Sequence, residues 1–377
     1  MTAVDTTPRD RPRLPWSARL LPNRASQVGV TLAVLACLVT PLVISDDFWM
    51  TVLTNAGAFA IAAIGLSLLT GYTGQVSLGH AAFLTIGGYV VGYFGAEQGW
   101  PLPVWLVLAA VVGALIGAFV GPFALRFKGN YLAVVTLALV FLTVHVVQNW
   151  ESFTGGFNGR SINDAPLSVG PVDFGELDVF GKQFTREQGV FYLAWILVGI
   201  TALVARNIVR TRPGRAMQAI RDRDLAAEVL GVSNARYKIA AFAVSSAMAS
   251  VGGAVYAVNL RFISPNEPVA ELFVSIRFVA IIIVGGLGTV YGAIIGALLL
   301  GPMPELVVEF LDVLDFNLPI IDRPLVTQTA AGNGIFTAAV FSEILFGLLL
   351  ISFLLFQPDG LAGMVRRLRA RLTRRRS

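Results

Sequence analysis

The chain has 377 residues, 55% of them hydrophobic and only 14% charged, and a mean hydropathy of +0.72. A soluble fold of this length cannot hide so much apolar surface, which excludes an ordinary globular domain. The net charge of +5 comes from Lys and Arg clustered at Arg9 to Arg24, Arg206 to Lys238 and Arg366 to Arg376, each beside an apolar run; this is the pattern of loops on one side of a membrane, and no nucleic-acid partner is expected.

In chain order, a basic, proline-bearing tail over 1–26 comes first and is read as cytoplasmic. Uncharged stretches of about 20 residues, each long enough to cross a roughly 30 Å hydrocarbon core, then recur. The hydropathy predicts ten spans, at 27–45, 50–70, 76–96, 102–125, 129–148, 189–208, 237–260, 270–287, 290–312 and 336–357. The expected fold is an all-α polytopic membrane protein with one transmembrane domain over 27–357 and a basic tail over 358–377. The terminal run RRLRARLTRRRS also attracts anionic membrane lipid. Cys37 is the single cysteine, so an intrachain disulfide is impossible.

Charge asymmetry orients these spans. Asp46 and Asp47 fall outside, Arg126 and Lys128 inside, the acidic loop of about 150–188 outside, and the arginine-rich loop of about 209–236 inside. Seven C-terminal arginines also belong inside, so an even number of spans must follow. GGLGTVYG, within the apolar run from Phe278 to Pro304, is therefore expected to hold a tight turn between two helices. A segment of about 313–335, with acids beginning at Glu305, is expected outside, and both termini inside.

Small residues mark helix contacts in membranes, where lipid supplies little drive for association. Gly113, Gly117 and Gly121 form one such face, and Gly292 and Gly296 repeat the spacing.

One charge-free stretch, GYTGQVSLGH at 71–80, resists continuous helix because of Gly71, Gly74 and Gly79. Backbone groups that leave a helix in hydrocarbon need partners, so the segment reads as a partly unwound, protein-shielded connection. Thr73, Gln75, Ser77 and His80 either cap freed groups or face a solute. Gln75, Ser77, His80, Tyr131 and Thr136 are the candidates for a translocation path. His80 and His145 are the only histidines, too few for a His-based metal site without nearby carboxylates, so no metal is expected.

The basic loop RTRPGRAMQAIRDRDLAAEVLGVSNARYKIAAF predicts two short helices. Pro213 suits a helix start, Asp224 a cap, and Gly231 a C-terminal stop. The second helix presents Leu225, Ala226, Val229 and Leu230, whose apolar side needs a groove on this protein, in lipid, or on a partner.

The ordered motifs TGYTGQVSLGHAAF, LRFKGNYLAVVTLALVFL, FTGGFNGR, RPGRAMQAIRDRDLAAEVLGVSNARYKIAAFAVSSAMASVGGAVYA, GGLGTVYGAIIGA and FQPDGLAG resemble the LivM-type permeases of branched-chain amino acid ABC importers over roughly residues 50 to 365. The resemblance implies a permease subunit paired with a second homologous permease subunit, docked on two cytoplasmic ABC ATPase subunits that use ATP and Mg, and served by an extracytoplasmic solute-binding protein. It also implies that Ala226, Ala227, Glu228 and Gly231, with Leu225 and with Gly214 and Arg215 upstream, form the ATPase-coupling element. Gln357 and Asp359 depart from the family pattern near the final Pro-x-Gly, and the acidic insertion looks longer than usual.

The chain itself has no G-x-x-x-x-G-K-[ST]; GELDVFGKQ has the wrong spacing and lacks the hydroxyl, so no nucleotide or other cofactor is expected on this chain and it is not read as an enzyme. An ion-coupled secondary transporter would also use unwound helices, but the spans offer few ionisable groups beyond Glu343 and Arg277. A membrane enzyme is disfavoured because the outer-loop acids Glu151, Asp164, Asp173, Glu176 and Asp178 have no histidine or cysteine beside them. Urea, amides and other small organic solutes remain alternative cargoes within the resembled family.

Overall fold

The computed structural model describes residues 24–127, 129–179, 182–265, 272–313, 336–357 and 360–364, with short pieces at 317–318, 323–324 and 326–327. Most of both basic tails and of the acidic segment 313–335 lies outside these residues, as do Lys128, Pro358 and Asp359. The chain forms two compact units, divided between Val43 and Ile44.

The first unit contains α1, Arg24–Val43, a 20-residue apolar helix with Pro41 inside it. Thr40 Oγ1 donates to Ala36 O at 2.7 Å, one turn back.

The second unit holds α2 (Asp47–Thr73), α3 (His80–Val90), α4 (Leu102–Val120), α5 (Phe123–Arg126), α6 (Asn130–Asn149), α7 (Glu151–Thr154), α8 (Arg186–Arg210), α9 (Arg212–Asp222), α10 (Asp224–Val229), α11 (Asn234–Leu260), α12 (Leu272–Gly285), α13 (Val290–Leu300), α14 (Met303–Val313) and α15 (Ala338–Phe356). Two-residue strands are its only described sheet structure. This is a polytopic, all-helical membrane protein. Among the described residues seven helical stretches are long and apolar enough to cross a membrane: Asp47–Thr73, Leu102–Val120, Tyr131–Asn149, Arg186–Arg210, Asn234–Leu260, Val290–Phe310 and Val340–Met364.

Three of the ten expected spans fall short of that length. The apolar part of α1 is Val28–Val43, and α12 has only 14 residues. α3 stops as an α-helix after 11 residues and continues as a seven-residue π-helix, Val91–Glu97. The expected turn at GGLG lies between α12 and α13, where Gly286 and Gly288 adopt φ of 113° and 71°.

α2 is apolar on every side, the pattern of a helix surrounded by protein, and it is buried along nearly its whole length against α8, α11 and α13. Asp46 starts it by accepting from Phe48 N at 2.9 Å. α11 is the second central helix and touches α2, α3 and α4. Close approach is possible because side chains are missing at the crossings. A Cβ on Gly65 of α2 would stand 2.7 Å from Ser245 O, and one on Gly113 of α4 2.6 Å from Ser250 Cβ. Gly117 and Gly121 continue that face onto Ser246 and Ile239, while Gly292 and Gly296 lie against Gly285 and Ile281 of α12.

At the N-terminal end of α2 and the C-terminal end of α11, the FTGGFNGR turn is fixed by local hydrogen bonds. Gly155, Gly156 and Gly159 have positive φ. Arg160 donates through Nε to Phe153 O (2.7 Å) and through Nη2 to Ser152 O (2.8 Å), pairs with Glu97, and lies over the Tyr93 ring. Arg160–Ser161 pairs antiparallel with Phe262–Ile263, tying the loop to the end of α11.

Candidate functional site at a broken helix and a basic loop

The unwound segment is narrower than the glycines imply. α2 runs through Gly71 to Thr73, and helix is absent only over 74–79. Gly74 closes α2 in the left-handed region, with its N–H donating to Thr70 O at 3.2 Å. Gly71 stays helical, because its missing side chain serves packing: a Cβ there would collide with the Gly288 backbone.

Three backbone donors at and beyond the break meet hydroxyls, the kind of partner a shielded, unwound segment needs. Leu78 N donates to Thr136 Oγ1 (2.9 Å), Gly79 N to Ser77 Oγ (3.3 Å) and Ala81 N to Ser275 Oγ (3.1 Å). Ser77 and Thr136 thus act as caps, both essentially buried. His80 is fully buried with Nε2 3.1 Å from Ser245 Oγ. Gln75 is buried too, its Oε1 3.3 Å from Thr73 Oγ1 and its Nε2 without a partner among the described residues. Tyr131, in the first turn of α6, is 75% exposed, and the structure does not bring it to this group.

Several motifs distant in sequence converge beside the break. Arg221 of α9 donates from Nη1 to Gly71 O. Gly71 lies on Gly288, and the neighbouring Gly286 lies on Gly360 and Ala362, where an added Cβ would stand 2.6 Å from Ala362 Cβ. One end of the bundle therefore joins the end of α2, the α12–α13 turn, the GLAG segment and the basic loop.

The sequence model of the family described as branched-chain amino acid transport system / permease component matches residues 48–354. The chain belongs to this family. It is 28% identical over 322 residues to the LivM permease protein of the high-affinity branched-chain amino acid transport system of Salmonella typhimurium, covering 82% of this chain and 68% of that protein. The LivM protein of Escherichia coli K12 gives 28% over 326 residues, with the same coverage. LivH of Escherichia coli K12 gives 27% over 282 residues, 71% of this chain and 89% of that protein. No solved structure matches. The protein is a permease component of an ABC transport system, a multi-pass transport subunit and not its ATPase.

In this permease the basic loop folds as two short helices. Pro213 lies in the first turn of α9, and Gly214 packs where any side chain would strike the Val209 carbonyl. Met217 and Ile220 turn α9 inward, leaving Arg215 exposed. Asp224 is the first helical residue of α10 and not its cap, which is Arg223; the Asp224 carboxylate accepts from Leu225 N at 2.9 Å. Ala227 alone on α10 is buried, whereas Leu225, Val229 and Leu230 are 71%, 87% and 83% exposed. Ala226 shares their exposure. Glu228 accepts from Asn234 Nδ2 at 3.2 Å, which fixes the turn to α11, and Gly231 takes φ 83° there.

Sequence reasoning missed a polar cluster at the far end of α2. Asn55, 1% exposed, donates from Nδ2 to Glu305 Oε1 at 3.3 Å and accepts at Oδ1 from Asn259 Nδ2 at 2.8 Å. Asn259 also bonds Thr51 O at 3.1 Å. Glu305 had been assigned to a hydrophilic segment, but helix resumes at Met303 and carries it against the bundle. The lone Asn55 in a charge-free run was the available signal, since a polar group there needs a partner.

Proposed function

We propose that this chain is the membrane-spanning permease of an ATP-driven importer for branched-chain amino acids, lining the path together with a second, homologous permease subunit. The reading takes ten spans with both termini and the basic loop in the cytoplasm, and puts the FTGGFNGR turn outside, where a solute-binding protein delivers cargo. Two ATPase subunits supply the energy through α9 and α10.

The observation that carries the reading is the row of exposed Leu225, Val229 and Leu230 on an otherwise charged loop. An apolar ridge on a basic, water-facing loop gains from burial in a partner's groove. Through Arg221 and Gly71, a displacement of that loop reaches the break at 74–79, where six residues lack helix restraint. Only contacts that differ between two states can shift an equilibrium, and this junction offers them.

The test is co-purification with the cognate ATPases followed by uptake of labelled leucine, isoleucine, valine and urea into vesicles. ATP-dependent leucine uptake with binding protein is expected, lost in Glu228→Arg and Gly231→Trp together with ATPase association. Uptake by the chain alone on an ion gradient would overturn it, and uptake of urea alone would replace the cargo.

A further inference from the structure

A cleft opens where the break meets the end of α9 and the start of α11. Its walls combine both signs of charge with an apolar side: Gln75, Asp222 and Lys238 among its polar residues, Phe127, Leu132 and Ile220 among its apolar ones. Gln75 is only 4% exposed, and among the described residues its Nε2 has no acceptor. A buried N–H left unpaired is unfavourable, so a ligand oxygen placed there is stabilised. Lys238 is only 9% exposed, and among the described residues no carboxylate pairs with it. A ligand carboxylate placed against its ammonium gains a charge-assisted hydrogen bond.

We propose that this cleft binds a free α-amino acid with an apolar side chain from the ATPase side of the membrane. Its carboxylate lies against the Lys238 ammonium and the Gln75 amide, its ammonium group toward Asp222, and its side chain on Phe127, Leu132 and Ile220. The occupant bridges the break and the coupling loop, so accumulated product restrains the movement between them and slows further import. This deepens the importer reading and rests on it.

The assembled transporter, both permeases and both ATPases in nanodiscs without binding protein, is titrated with radiolabelled L-leucine. Saturable binding is expected, weakened about tenfold or more by Lys238→Met and by Gln75→Leu, as loss of a charge-assisted or buried hydrogen bond dictates. Isocaproate and isopentylamine, leucine without its ammonium and without its carboxylate respectively, should fail to displace leucine from the unaltered complex. In vesicles preloaded with leucine on the ATPase side, the ratio of preloaded to empty uptake rate falls below one and returns to one in Lys238→Met. Absence of leucine binding, binding indifferent to both substitutions, or a co-purified phospholipid that leucine cannot displace overturns the proposal. Binding without any branched-chain uptake leaves the cleft standing and removes the importer reading; normal uptake with no effect of preloading removes the cleft alone.

Discussion

Arg221 on α9 reaches 150 residues back along the chain to donate a hydrogen bond to the carbonyl oxygen of Gly71, three residues before the helix break. That carbonyl belongs to the last turn of α2, whose orphan acceptors would otherwise need water or a cap. The bond therefore completes the helix end and fastens the basic loop to it at once.

Replacing Arg221 with Ala removes a hydrogen bond from a charged donor, on the order of 1.5–3 kcal/mol. The apolar ridge on α10 is untouched, so ATPase co-purification is expected to persist while ATP-driven uptake drops about tenfold or more. Full uptake in vesicles would show that force travels elsewhere.

Gly79→Ala places a methyl group 2.6 Å from the backbone oxygen of Thr136 and 3.2 Å from its Cβ, so one of the two segments must shift. Overpacking of this kind costs about 1–3 kcal/mol, read as a lower thermal midpoint in detergent. Gly347→Ala meets nothing within 4 Å and is the control, expected to leave the midpoint unchanged or raise it.

A double substitution, Leu225→Asp with Val229→Asp, charges side chains that touch little of the chain itself. Folding is expected to survive, with an unshifted midpoint, and the ATPases to be lost on affinity purification. Retained ATPase would place the docking ridge somewhere other than α10.

Glu305→Gln keeps an acceptor for Asn55 and removes the charge. ATP-dependent uptake is expected to continue, because energy does not enter through this carboxylate; abolished uptake in a well-folded variant would revive ion coupling. Asn55→Leu, by contrast, strips partners from both Glu305 and Asn259, a loss of about 1–3 kcal/mol detectable by thermal unfolding.

Hydropathy alone located the apolar helices, because burial in lipid or in the bundle demands the same residues, and the glycines of GGLG marked a turn that positive φ requires. Local rules also foresaw Pro213 at a helix start and Gly231 after α10. They failed where partners are far apart in sequence. Nothing near Gly71 announces Arg221, and nothing near Glu305 announces Asn55. Gly71 itself was read as a helix breaker when its role is to admit Gly288, since a glycine looks the same in sequence whether it frees a backbone or makes room for one. Tyr131 and Thr136 are both path candidates in sequence, yet Thr136 is buried and Tyr131 is exposed on the same helix.

The glycine stripe of α4 has one more implication. Gly113, Gly117 and Gly121 are all taken up by α11 within the same chain, while Val107, Val111, Leu115 and Phe119 line the opposite, open flank. A seam between two subunits along α4 would have to be built from these bulky side chains, without the tight backbone crossing that a glycine ladder permits. Alleles at the three glycines should accordingly surface in genetic screens as chains degraded before assembly, and never as stable, solitary protomers.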